Sequence, residues 1–299
     1  MPSWQSEAVA AMYRVWTDEL NNPNPDRQES RETNDHWGDL TAEPRQVDYL
    51  ERDIAGTPAL WVEPHNANPD RVLLHVHGGG FIGGSLYTHR KLVGHLAKAA
   101  GIRALVISYP RTPEHQHPAQ LIAVSSAYQW LLDSGFDPKH IVIGADSAAA
   151  TLALATLLQA RDRGAAMPAA TYLISPWVDM TVSNPSFEAN ASRDAYFHRD
   201  VVKGLAAMFL GNTDPRDPLA SPAFAELAGL PPMYIQVGGD ETLLDDARNL
   251  ALRAEEAGVH ATIDVFEGQQ HTFQMAAGRA PEADDAIGRF AAWVKPMLV

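Results

Sequence analysis

The chain has 299 residues, 45% hydrophobic and 20% charged, enough apolar material for one large core with a small accessory layer. A formal net charge of −14 would repel a phosphate backbone and offers no basic patch to an anionic membrane surface, which argues against nucleic acid as a partner. There is no cysteine, which removes disulfides, cysteine-ligated zinc and a thiol nucleophile without identifying a compartment.

At the N-terminus, Glu7, Arg14 and Asp18 interrupt the apolar residues, so the segment does not read as a signal peptide, and Met12, Val15 and Trp16 suggest one face of an amphipathic helix. The longest small-apolar run, Ala148 to Leu158, reaches about half of the roughly 20 residues that a membrane span needs. A cytoplasmic protein without stable membrane insertion is therefore the default expectation. Residues 19–45 hold the densest cluster of Asn, Pro, Asp, Glu and Arg, the composition of an exposed connection.

From residue 46 the pattern alternates. Short β-branched or aromatic runs at about 46–52, 57–63, 71–76, 104–109, 140–144, 170–175, 232–237 and 260–266 predict eight strands. From the third onward they are separated by helical-period segments at about 86–100, 118–134, 148–163, 242–257 and 282–295. This is the order of an α/β fold, a mostly parallel sheet flanked by crossover helices. Residues 182–229 break the alternation with Pro185, Pro215, Pro218 and Pro222 among scattered aromatics, which predicts a helical insertion. We assign 1–40 and 182–229 to a cap over the carboxyl edge of the sheet, and 41–181 and 230–299 to the two parts of the core.

Four segments carry the chemistry. His77-Gly78-Gly79-Gly80-Phe81 directly follows a strand run, and its glycines let successive N–H groups approach a developing oxyanion. Ile141 to Ala150 runs from a β-branched strand into an Ala/Leu-rich helix with Ser147 at the junction, the setting of a nucleophile elbow. A serine at such a junction also suits a helix cap, and alanine rather than glycine stands two residues to either side of it. Met233 to Asp240 is a strand ending in a glycine turn and a carboxylate, with Glu241, Asp245 and Asp246 as competitors; Asp240 leads because it lies nearest the strand end. His271 sits in the loop after the last strand and completes the order serine, acid, histidine. Two His-x-His pairs, His75/His77 and His115/His117, lack a third ligand at metal-site spacing.

Together with Thr112-Pro113-Glu114-His115, Ser175-Pro176-Trp177-Val178-Asp179, Leu230-Pro231-Pro232 and the segments 238–246 and 270–273, these motifs resemble the hormone-sensitive-lipase-like family of bacterial esterases, most closely its alkyl-lactone hydrolase and acetyl-hydrolase branch. The resemblance covers roughly residues 45–299. It implies an α/β-hydrolase core with a helical cap and no cofactor. By position it implies a triad of Ser147, Asp240 and His271, with the N–H groups of Gly79, Gly80 and Ala148 as oxyanion donors. Alanines at 145, 149 and 150 depart from the family's glycines, which bears on rate and pocket shape.

The expected activity is hydrolysis of small-molecule esters with short to medium acyl chains through an acyl-serine intermediate, lactones standing beside them. A non-catalytic small-molecule binder and an acyltransferase that uses the same acyl-enzyme are the rival readings. No feature of the chain encodes the oligomeric state, and a homodimer stays open.

Overall fold

The computed structural model describes residues 1–20, 31–32 and 35–298. Its strands are β1 (Val47–Ile54), β2 (Thr57–Pro64), β3 (Asn68–Val76), β4 (Ile102–Ile107), β5 (Ile141–Asp146), β6 (Ala170–Ile174), β7 (Met233–Gly238) and β8 (Ala261–Phe266). They form one sheet in the order β1-β2-β4-β3-β5-β6-β7-β8. The pairings β1–β2 and β2–β4 are antiparallel and the rest parallel. Ala55 and Gly56, at φ 53° and 82°, close the first hairpin with the two left-handed residues that match strand twist.

β5, β6 and β7 are buried along their whole length, as expected of parallel strands covered on both faces, and this is why they are predominantly apolar, with Asp146, Thr171 and Gln236 as buried polar exceptions. The crossovers are α2 (Leu86–Ala100), α3 (Ala119–Asp133), α4 (Ala149–Asp162) and α7 (Leu244–Glu256), with α8 (Pro281–Val294) after the last strand. The start of α2 is fixed by a reciprocal cap between Ser85 and Thr88, and its end by Gly101 at φ 73°. The strand order reverses beside β3, with β4 on one side of it and β5 on the other. An open α/β sheet has its binding crevice at the carboxyl ends of such a pair. His77–Phe81 leaves β3 there, and Ser147 leaves β5 beside it.

Between β6 and β7 lie α5 (Ser186–Ala189), α6 (Arg199–Leu210) and a helical turn at Pro222–Phe224. The first helix, α1 (Trp4–Leu20), buries Ser6, Ala10, Tyr13, Trp16 and Thr17, while Trp4, Met12 and Val15 face outward. The expected apolar face of Met12, Val15 and Trp16 is thus corrected by about a third of a turn. Positions 6, 10, 13 and 17 share a stripe at three- and four-residue spacing, and Tyr13 anchors it. Tyr13 stacks on Trp37 at 5.5 Å and meets Tyr196 at 5.2 Å, and the Thr17 hydroxyl donates to the Ala195 carbonyl at 3.0 Å. The first segment is thereby bonded to the 182–229 insertion. Of the exposed connection expected over 19–45, residues 21–30, 33 and 34 lie outside the described residues. Within it, His36–Leu40 is a helical turn with Trp37 and Leu40 buried rather than solvated.

Candidate active site

Ser147 sits between β5 and α4 at φ 55°, a region costly for a residue with a side chain. Its backbone is held there by two bonds to the end of the neighbouring strand: Ser147 N–H to the Ile174 carbonyl at 2.9 Å, and Trp177 N–H to the Ser147 carbonyl at 3.1 Å. Ala145, Ala149 and Ala150 around it are wholly buried. At Gly144, one residue before Ala145, a Cβ would stand 2.8 Å from Leu73 Cδ1 on β3.

The Ser147 hydroxyl lies 2.9 Å from His271 Nε2. His271 follows β8, is fully buried, and packs edge-on against Phe197 with ring centroids 4.7 Å apart. Its Nδ1 lies 2.7 Å from Glu241 Oε2. A carboxylate on Nδ1 keeps the ring proton there and leaves Nε2 as the acceptor for the serine.

The sequence expectation for the acid is corrected here. Asp240 does not reach His271; its Oδ1 accepts from Arg193 Nη1 at 3.2 Å, with the side chain partly exposed. Past the end of β7 the chain turns at Gly238 and Gly239, which sends Asp240 outward and Glu241 into the interior. The extra methylene lets Glu241 fold back beneath its own turn, where Oε1 accepts the Gly238 N–H at 2.6 Å and the Ser175 hydroxyl at 2.8 Å. The signal available in the sequence was that Glu241 leads into Thr242-Leu243-Leu244, which are buried, whereas Asp240 adjoins the glycines. Asp245 accepts from Ser186 N–H, and Asp246 from the N–H groups of Val178 and Asp179, so neither competes.

The glycine loop after β3 is built, not merely flexible. A Cβ on Gly78 would stand 2.2 Å from Asp146 Oδ2, and one on Gly79, at φ 120°, 2.4 Å from the Gly83 carbonyl. Gly80 lies at φ 60°. The N–H groups of Gly79, Gly80 and Ala148 make no hydrogen bond among the described residues. Gly78 N–H donates to Asp146 Oδ1 at 3.0 Å, which ties this loop to the residue preceding Ser147.

Asp146 is almost wholly buried and receives His75 Nε2 and His89 Nε2, each at 3.2 Å. Burial opposes its ionisation, but the two imidazoles outweigh that and hold the carboxyl well below the usual carboxylate range. His77 is pushed down to about 3 by burial and by His89 beside it; its Nδ1–H donates to the Gly78 carbonyl at 2.8 Å. His75 and His77 thus serve the loop's hydrogen bonding, while His115 is exposed and His117 packs against Phe209. Among the described residues no group of three or more His, Asp or Glu is arranged to hold a metal ion. No helix among them is long and apolar enough to cross a membrane.

The sequence profile of the family described as "alpha/beta hydrolase fold" matches residues 73–275. An acetyl-hydrolase from Streptomyces hygroscopicus is 39% identical over 77% of this chain and 76% of its own length. An esterase from Acinetobacter venetianus is 37% identical over 75% of each. Among solved structures, an esterase from the bacterial hormone-sensitive lipase family superposes with a TM-score of 0.95, at 37% identity over 100% of both chains. An esterase/lipase from an uncultured bacterium gives 0.91, at 34% identity over 98% of each. With its eight-stranded sheet and the glycine loop and serine turn at the point where strand order reverses, the chain belongs to the α/β-hydrolase-fold family, among the bacterial esterases of the hormone-sensitive-lipase type.

Proposed function

We propose that the chain is a serine carboxylesterase in which Ser147 is the nucleophile, His271 the general base and acid, and Glu241 the orienting carboxylate. The observation that carries this reading is the serine at φ 55° with its hydroxyl 2.9 Å from His271 Nε2, and Glu241 2.7 Å from Nδ1 of the same ring. The Ser147 oxygen attacks the ester carbonyl as its proton passes to Nε2. Collapse of the tetrahedral intermediate breaks the bond to the alcohol, which takes that proton, and leaves the acyl group on Ser147. Water then attacks, giving its proton to His271, and the carboxylic acid departs as Ser147 is restored. Glu241, bonded to Nδ1, orients the ring and stabilises the imidazolium.

The uncommitted N–H groups of Gly79, Gly80 and Ala148 supply the oxyanion donors, each worth on the order of 3 kcal/mol in the transition state. The described parts of residues 1–40, together with 182–229, form the cap. In support, Tyr13, Trp37 and Tyr196 pack together, and Phe197 and Trp37 both face the His271 ring. Leu205 of α6 lies over the oxyanion loop, so close that a Cβ on Gly80 would stand 2.9 Å from its Cδ1. A cap so near the reacting carbon favours small-molecule esters with short acyl chains, in keeping with the acetyl-hydrolase name of one relative.

The test is turnover of p-nitrophenyl esters of increasing chain length, and of a lactone panel, by the wild type and Ser147→Ala. The wild type should hydrolyse the short esters, and the variant should lose roughly 10⁴- to 10⁶-fold in kcat while remaining folded. Near-wild-type turnover by the variant would overturn the reading.

A further inference from the structure

Ser175 is the residue just past β6. It is fully buried and stands at φ 46°, in the left-handed region. Its N–H donates to the Gln236 carbonyl on β7 at 2.7 Å, which pins the backbone in that conformation. The position leaves the hydroxyl between two strands' worth of site machinery. It donates to Glu241 Oε1 at 2.8 Å and accepts the Thr272 N–H at 2.9 Å. Thr272 immediately follows His271 and is itself at φ 49°. One hydroxyl therefore grips both the carboxylate that leaves β7 and the loop that carries the imidazole after β8.

Glu241 turns Oε2 to His271 and Oε1 to Gly238 N–H and the Ser175 hydroxyl. Without Ser175, Oε1 would be held only by the N–H of its own turn, and the carboxylate would meet the His271 loop through Oε2 alone. With Ser175, its plane is fixed against that loop. We propose that Ser175 is a positioning residue for the Glu241–His271 pair, holding carboxylate and imidazole in register so that Nε2 faces Ser147; this rests on the serine-esterase reading above. A bystander hydroxyl would merely satisfy the Thr272 N–H and leave the pair's chemistry alone.

The two roles separate in a double-mutant cycle on p-nitrophenyl acetate. Ser175→Ala removes the hydroxyl and keeps the Cβ; Ser175→Gly removes it while relieving the backbone, so a loss shared by both does not come from strain at the left-handed position. Each should lose about 10-fold in kcat, with KM unchanged within about twofold. In a Glu241→Ala background, Ser175→Ala should cost less than about twofold, because the group it acts through is gone. An equal loss in both backgrounds, a loss carried by KM, or unchanged turnover would overturn the proposal. A second readout needs no substrate: the low-field proton resonance of His271 Nδ1–H should shift or broaden in Ser175→Ala, and an unmoved resonance refutes the coupling. If the wild type hydrolyses neither esters nor lactones, the functional reading fails, while the resonance still decides whether Ser175 holds the pair.

Discussion

Glu241 Oε2 and His271 Nδ1 stand 2.7 Å apart with both side chains sealed from solvent, while the adjacent carboxylate, Asp240, faces Arg193 at the surface. A hydrogen bond to a carboxylate buried to this degree keeps its geometry without competition from solvent, whereas the Arg193–Asp240 pair is of the exposed kind that contributes little. Glu241→Ala should therefore lower kcat by about 10³- to 10⁴-fold by releasing the tautomer and orientation of His271. Asp240→Asn should change it less than about twofold. Glu241→Asp should retain part of the activity, since one methylene less draws the carboxylate back from Nδ1. Steady-state kinetics on a single short-chain ester checks all three, and a large loss in Asp240→Asn would return the acid's role to that residue.

Much of the fold was legible because its central strands β5, β6 and β7 are buried on both faces. Runs such as Ile141–Ala145 and Met233–Val237 are therefore predominantly apolar, Gln236 excepted, and their punctuation by helical-period segments follows from parallel connection. The serine turn, the glycine loop and His271 were legible because each needs a special residue at a fixed place along the chain. The carboxylate that meets His271 was not, because distance from a strand end measures where a Cα lies and not how far a side chain reaches back. The buried face of α1 was hidden for a related reason. Trp16 is buried but Met12 and Val15 are not, and the choice is made by Tyr13, whose ring closes against Trp37 and Tyr196 from remote segments. No local periodicity carries that information.

Leu205 of α6 is set directly on the glycine loop after β3, beside Gly80. Leu205→Ala should open space beside the acyl group and shift the preferred p-nitrophenyl ester toward longer chains by a few carbons, with little effect on acetate. Leu205→Phe should do the reverse. An unaltered chain-length profile in both variants would place the acyl group elsewhere.

Asp246 lies buried at the start of α7, with Oδ1 accepting from Val178 and Asp179 N–H and Oδ2 from the Asn184 amide. Burial pushes its carboxyl up to about 7, against the pull of these hydrogen bonds. The unfolded chain ionises this group near pH 4, so between about pH 4 and 7 the folded state binds the extra proton and loses stability as pH rises. The contribution is complete below pH 4 and gone above about 7. Urea unfolding of wild type and Asp246→Asn at pH 4, 5.5 and 7 should show the wild type losing stability relative to the variant across that window. A constant difference would mean that Asp246 ionises in the folded chain as it does in the unfolded one.

The alanines flanking Ser147 are the place where this chain could have compromised its own turn. Ala145, Ala149 and Ala150 are fully buried, yet Ser147 reaches φ 55° and its hydroxyl meets His271, because the bonds to Ile174 and Trp177 hold the turn from outside. A methyl that fits without displacing the serine adds packing and, in α4, restrains the backbone that glycine would leave free. Replacing Ala149 or Ala150 by Gly should therefore leave kcat within about threefold and cost roughly 1 kcal/mol of stability per site. Ala145→Gly, in β5, should likewise spare kcat and lose stability through the vacated methyl. Kinetics and denaturant unfolding on the three single variants check this. A tenfold rise in kcat in any of them would show that the alanines strain the elbow and that turnover is what the chain gave up for them.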